Sequence, residues 1–324
     1  MVARRLLQTP LTLLDVGARG GIAEHWSVFG DQLDVVAIEP AEGEPGLDAF
    51  LSSKQGTATF HHRPFAASSG LYRTGELFTG TVLEPIFGTT GSEEVPTTTL
   101  VDLLGPERLR GVDFVKLDVE LAELDVLHGA GPLLGAALVI ETEVHFPKRP
   151  AESGCFAEVD LFLQQHGYEL YDLACYRYSR SGLPSQRLYD YRLPNGERDE
   201  LGANVEGQIL SGDALYVRVA PPETADRALK LACILELHRL RDVAYEVLER
   251  APWPVPGDRD LLRRELDALV DREGAPYGPN FHVYEDIWRR RWSEYPGDTP
   301  PPLPPRFLDV ARAMLRRKLH LPPA

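Results

Sequence analysis

Apolar positions along the first 220 residues switch repeatedly between runs of strand character and helical spacing, which predicts an α/β domain with a mainly parallel sheet. LTLLDVG (11–17) is an apolar run that reads as a buried strand, and IAEHWSVFG (22–30) reads as a short helix after it. DVVAIEP (34–40) is a second strand stopped by Pro40, residues 46–54 suit a helix, and TATFHHRPF (57–65) makes a third strand. The Gly/Ser/Thr-rich stretch 66–98 is long for a plain connection and is expected to cover a site. The pattern resumes with a helix over 98–110, the strand VDFVKLD (112–118), a helix over 122–134 closed by glycine and proline, and the strand AALVIETEVHF (136–146). FAEVDLFLQQHG (156–167) has helical spacing and stops at Gly167 as a helix C-cap does. YELYDLACYRY (168–178) and ALYVRVA (214–220) are the last two strands.

Beyond Pro221-Pro222 the texture changes. Residues 223–250 suit a helix pair, and 258–271, 281–294 and 306–319 suit further helices, with 15 of the 27 prolines as stiff connectors. The expected organisation is a domain over 1–220 and a helical, Pro-rich extension over 221–324 whose expected role is packing, with substrate or partner binding as the alternative.

Charge removes one class of partner. The net charge is −15; 17 basic and 17 acidic residues lie in 221–324, so 1–220 carries 17 basic against 32 acidic. An acidic domain repels nucleic-acid backbones, and no basic stripe interleaved with aromatics is present in it. No stretch approaches the roughly 20 apolar residues of a membrane span. The start, MVARRLLQTPLTLLDVG, reads as a first strand rather than a leader, so a cytoplasmic protein is expected. Cys155, Cys175 and Cys233 lie far apart with no CxxC pair and suit neither a disulfide framework nor a zinc site.

Candidate chemistry begins at DVGARGG, Asp15 to Gly21, on a strand-to-helix junction where glycines allow a sharp turn and close approach of a ligand. A dinucleotide site would present GxGxxG to a pyrophosphate. Here the order is G-x-x-G-G, with the carboxylate of Asp15 two positions ahead of Gly17. An acid suits a ligand with an ammonium group and no phosphate, as in S-adenosylmethionine (SAM). Glu39 ends the second strand 24 residues after Asp15, where a carboxylate can accept from both hydroxyls of a ribose. NAD also carries ribose, so the glycine pattern must separate the two cofactors, and a nicotinamide-dependent oxidoreductase is the rival it disfavours.

In VDFVKLDVELAELDVLHGA (112–130), Lys116, Asp118 and Glu120 share one strand face, and the acids gather at the end where open α/β sheets bind ligands. Glu123 opens the next helix and suits its dipole. The fifth strand offers Glu141, Glu143 and His145 on one face; His145 is a candidate base, since an imidazole titrates near ~6.5. Asp118, Glu143 and His145 could together hold a divalent metal. His61 and His62 point to opposite strand faces and read as structural, as do Tyr168, Tyr171, Tyr176 and Tyr178.

The sequence resembles the FkbM family of SAM-dependent methyltransferases. The likeness rests on DVGARGG (15–21), AIEP (37–40), VPTTTLVDLL (95–104), DFVKLDVELAELDVLHGA (113–130), and VIETEVHF followed by FAEVDLFLQQHGYELYDL, in order over most of 11–178. It implies a Rossmann-like class I methyltransferase fold, a seven-stranded, mainly parallel sheet with an antiparallel last strand. It also implies methyl transfer from SAM to a hydroxyl of a small metabolite, sugar or glycan. The cofactor residues expected are Asp15, Gly17, Ala18, Arg19 and Gly21 for the methionine part, Glu39 and Pro40 for the ribose, Phe65 and Ala66 for the adenine, and Asp118 near the methyl. Asp118 would orient or deprotonate the acceptor, helped by Glu143 or His145. A divalent metal is not expected as a requirement. Leu121 stands where the family usually has glycine, and Arg19 where asparagine is common. A leucine there is expected to narrow the site, and a non-catalytic binding protein on the same fold is the alternative it leaves.

Overall fold

The structure, a computed structural model, describes residues 7–40, 46–74, 78–81, 84–147, 153–178, 188–190, 208–251 and five positions between 260 and 268. Residues 1–263 form one compact unit, and 264–324 are a second. The helices expected over 281–294 and 306–319, and most of 258–271, lie outside the described residues.

The chain forms an α/β unit around a mixed sheet. In chain order the strands are β1 (Leu11–Val16), β2 (Leu33–Ile38), β3 (Phe50–Leu51), β4 (Gly56–His62), β5 (Gly91–Thr98), β6 (Phe114–Leu117), β7 (Val139–His145), β8 (Tyr168–Tyr178), β9 (Leu188–Asp190) and β10 (Gln208–Arg218). The main sheet runs β2-β1-β6-β7-β10-β8-β9, with the three-residue β9 at its edge. The first four strands pair in parallel, and β10 lies antiparallel between β7 and β8. The strand expected over 57–65 leaves this sheet: β4 pairs with β5 and lies in a separate three-stranded sheet, β3-β5-β4. The helix expected over 46–54 is replaced by β3. Phe50 and Phe60, whose ring centroids stand 5.0 Å apart, pack across this small sheet, and that packing outweighs a weak local helical preference.

The helices are shorter than their patterns. The 22–30 segment is a 3-10 run, Glu24–Gln32. The next three are α1 (Glu84–Phe87), α2 (Leu100–Leu104) and α3 (Pro106–Arg110); Gly105 at φ +78° followed by Pro106 breaks the 98–110 helix into the last two. Gly131 at φ +53° likewise separates α4 (Glu123–His128) from α5 (Leu133–Ala136). Then come α6 (Phe156–Gln165), α7 (Ala225–Leu237) and α8 (Arg241–Arg250). None of the described helices is long and apolar enough to cross a membrane.

β1 is apolar because both its faces are covered: Leu11, Leu14 and Val16 are buried, and Leu14 and Val16 pack with Val115, Leu117, Ile140 and Tyr216 in the central cluster. At the N-terminal ends of the strands, buried Asp113 accepts from the Thr12 amide (3.0 Å) and Lys230 Nζ (2.8 Å), and Arg227 Nη1 stands 3.6 Å away. These contacts fasten α7 to the sheet end opposite the site.

Candidate active site

The register of the parallel strands sets the site. Val16 is level with both Ile38 and Leu117, so β1, β2 and β6 stop in one row and place Gly17, Glu39 and Asp118 side by side just beyond their carboxyl ends. This is where open α/β sheets bind ligands. The turn after β1 is held by Gly17 and Ala18 amides donating to the Ile38 carbonyl (2.9 and 3.3 Å), and Gly17, Gly20 and Gly21 all take φ between +80° and +86°. Gly17 is also compelled by space, since a Cβ there would stand 1.8 Å from the Asp118 carbonyl oxygen. β1 and β6 approach closely at this point because the side chain is absent.

A cavity of about 480 Å³ opens at this row. Gly17, Arg19, Glu39, Pro40, Phe65, Ala66 and Asp118 all line it. The small sheet supplies another wall through Phe50, Phe60 and His62, and the segment around Ser69–Leu71 covers it. Arg19 Nη1 donates to the Ala66 carbonyl (3.0 Å), tying the glycine turn to that cover. Gly70 lies against the Glu120 backbone, where a Cβ would stand 2.8 Å from its carbonyl oxygen. Phe65 is 56% exposed, a large apolar face open beside the cavity.

Asp15, Ala18 and Gly21 do not line the cavity. Asp15 sits one contact behind it: its carboxylate is 3% exposed, and Oδ1 makes no hydrogen bond. The nearest cation is Lys116 Nζ at 3.9 Å, which does line the cavity and donates to Asp118 Oδ2 at 3.1 Å. Burial pushes the Asp15 carboxyl up, against the pull of Lys116. Burial acts on Lys116 in the opposite sense to its two acids, and Asp118 and Asp15 prevail, holding it above its ordinary value.

Behind Asp118 and Glu120 lies an acid-rich layer. Glu143 and His145 do not line the cavity, and His145 Nε2 stands 3.4 Å from Glu143 Oε2. Burial, then mutual repulsion with Asp118 and Asp213, drives Glu143 well above the carboxylate range; burial, then Glu143, does the same to Glu120. Burial raises Glu123 and Glu141 to about 7 each, and it lowers His145. Glu123 Oε1 accepts from the Val119 amide (3.0 Å), so this residue closes the β6–α4 turn. Arg63 answers part of the charge: its guanidinium is buried, 3.6 Å from Glu120 Oε2, and donates to the Tyr72 carbonyl (2.5 Å).

Residues 15–170 match the family model described as the methyltransferase FkbM domain. The chain carries an FkbM methyltransferase domain. Among curated proteins none matches the chain significantly.

Within the FkbM domain, the leucine expected to narrow the site does not line the cavity. Leu121 is 1% exposed and packs against Phe78 and Leu210, with Tyr72 and Phe87 beside them. Its backbone nevertheless keeps the conformation a glycine would take, φ +84°, next to Glu120 at +55°. A leucine held there carries about 1–2 kcal/mol of backbone strain, which its burial of apolar surface offsets. Sequence reasoning missed Arg63, which no motif marks. It also read His62 as structural, whereas the ring lines the cavity and meets Glu93 at 2.9 Å. Strand alternation was the available signal, since it places His62 on the face opposite buried His61.

Proposed function

We propose that this FkbM domain transfers a methyl group from SAM to a hydroxyl of a small metabolite or glycan. The observation that carries the reading is the row Gly17–Glu39–Asp118 along one cavity, with buried Asp15 behind it, whose Oδ1 makes no hydrogen bond. The residues fit that cofactor. A buried acceptor without a donor suits an ammonium group, an acid at the end of β2 suits a ribose, and the exposed face of Phe65 suits a nucleobase. The cavity falls in the ~300–1,000 Å³ range of small-molecule sites.

When bound, SAM supplies a methyl group already activated on a sulfonium. Lys116 would offer a cation to the carboxylate of its methionine part, and Asp15, one contact behind the cavity, would supply a negative field for the amino group. Glu39 would accept from the ribose hydroxyls, with Pro40 beside it, and Phe65 and Ala66 would flank the adenine. Asp118 orients the acceptor hydroxyl and takes its proton as the oxygen–carbon bond forms and the carbon–sulfur bond breaks. Alignment and exclusion of water account for much of the acceleration in such a transfer. The burial of Leu121 against Phe78 gives no support to a blocked acceptor pocket.

The test is transfer of label from methyl-labelled SAM to a panel of sugars and small hydroxyl compounds. Asp118→Asn is expected to lower turnover roughly 10²–10⁴-fold, the ordinary range for a lost general base, with SAM affinity little changed. Turnover equal to wild type would remove Asp118 from the reaction.

A further inference from the structure

Asp118, Glu120 and Glu143 each bring a carboxylate oxygen to within 4.8 Å of the others. Acids alone do not make a site, and two of these have cations of their own: Lys116 on Asp118 at 3.1 Å and Arg63 near Glu120 at 3.6 Å. The second observation is His145. It is 4% exposed, neither ring nitrogen has a hydrogen-bond partner, and Nε2 is aimed at Glu143 Oε2, itself buried and without one. Buried imidazoles and carboxylates are almost always hydrogen-bonded, so a group missing its partner next to three converging acids points to an absent ligand. A negative cluster in a low-dielectric setting calls for a positive one.

We propose that Asp118, Glu120 and Glu143 hold a divalent cation, with His145 steadying Glu143 from behind. An all-carboxylate set suits a hard ion of the Mg²⁺ or Mn²⁺ kind. Carboxylates that bind metal are ordinarily held in turn by an outer partner, and a buried imidazole 3.4 Å from Glu143 is placed for that task. Asp118 and Glu120 line the cavity while Glu143 does not, so the ion sits in the cavity wall with its remaining positions toward the acceptor. There the ion would polarise the acceptor hydroxyl. That use rests on the methyl-transfer reading; the binding of the ion does not.

The experiment is titration of the full, chelator-stripped chain with MnCl₂, following free Mn²⁺ by electron paramagnetic resonance, with Mg²⁺ as competitor. One saturable equivalent is expected in the wild type, weakened at least tenfold in Glu143→Gln and about tenfold in His145→Gln, the lower end of the usual outer-partner effect. Circular dichroism checks the fold, and Glu120→Gln serves if Glu143→Gln does not fold. No saturable uptake below about 1 mM, the weak end of the range for carboxylate-held Ca²⁺, overturns the proposal. Uptake undiminished in the folded glutamine variants overturns it as well. A parallel SAM titration separates the two readings. SAM uptake without Mn²⁺ uptake sinks the cation site alone, and Mn²⁺ uptake without SAM uptake supports the cation site and sinks methyl transfer.

Discussion

Replacing Gly17 by alanine tests whether the close approach of β1 to β6 shapes the site. Two costs are present. At φ +84° any side chain costs about 1–2 kcal/mol. The added Cβ would also lie 1.8 Å from the Asp118 carbonyl oxygen, whereas real Cβ atoms stay beyond 3.0 Å, so the strand ends must part by more than 1 Å. Overpacking of that kind costs about 1–3 kcal/mol more, for a total of roughly 2–5 kcal/mol out of the ~5–15 kcal/mol a domain has. Gly20 and Gly21 supply the control, because they share the positive φ and have nothing within 4 Å of the added atom. Their alanine variants should lose only the first cost, about 1–2 kcal/mol. Urea unfolding at equilibrium reads both, as a midpoint shift at constant slope. Because the displaced carbonyl belongs to Asp118, Gly17→Ala should also weaken SAM binding more than either control. Gly17→Ala no less stable than Gly20→Ala would refute the reasoning.

Three further outcomes follow from the same geometry. At Leu121 the usual preference reverses: Leu121→Gly should be more stable than Leu121→Ala by about 1 kcal/mol, because only glycine escapes the strain at φ +84°. Both should fall below wild type, the alanine by roughly 2–5 kcal/mol, and thermal unfolding ranks the three. His238 is pressed by burial, and further by His25, down to about 4, stacked on Phe114. Its folded pKa lies below the unfolded 6.5, so the unfolded state binds the extra proton, and stability is lost as pH falls from 6.5 toward 4. In His238→Phe that loss should shrink by on the order of 3 kcal/mol across the same window, measured by denaturation at stepped pH. Asp113→Ala leaves Lys230 and Arg227 without their buried acid and should cost about 3–5 kcal/mol, with SAM affinity unaffected at the opposite end of the sheet.

The central strands were legible because 11–17, 34–40, 112–118 and 136–146 are short, mostly apolar segments rich in Val, Leu and Ile, and each is a parallel neighbour in one sheet. The row at the cavity was legible for a related reason. Parallel register makes the first residues past β1, β2 and β6 neighbours, so Gly17, Glu39 and Asp118 could be placed from strand ends alone. The small sheet was not legible, because Phe50 meets Phe60 only through non-local packing, and nothing in 46–54 announces a two-residue strand. Helix lengths were overread where one glycine at positive φ, Gly105 or Gly131, interrupts an otherwise even apolar spacing. The direction of the Leu121 side chain was hidden too, since its partners Phe78 and Leu210 lie 43 residues before and 89 after it. Arg63 was missed because a buried arginine is recognised by its acids, and Glu120 reaches it from the distant β6–α4 turn.

The most direct measurement is calorimetric titration of the pure chain with SAM and S-adenosylhomocysteine, beside NADH. One equivalent of either sulfur nucleoside should bind, NADH should not, and Glu39→Ala should weaken binding by about 10–100-fold, the loss of hydrogen bonds from a charged acceptor. No uptake of either nucleoside, or affinity unchanged in Glu39→Ala, would contradict the claim that this row of residues is a SAM site.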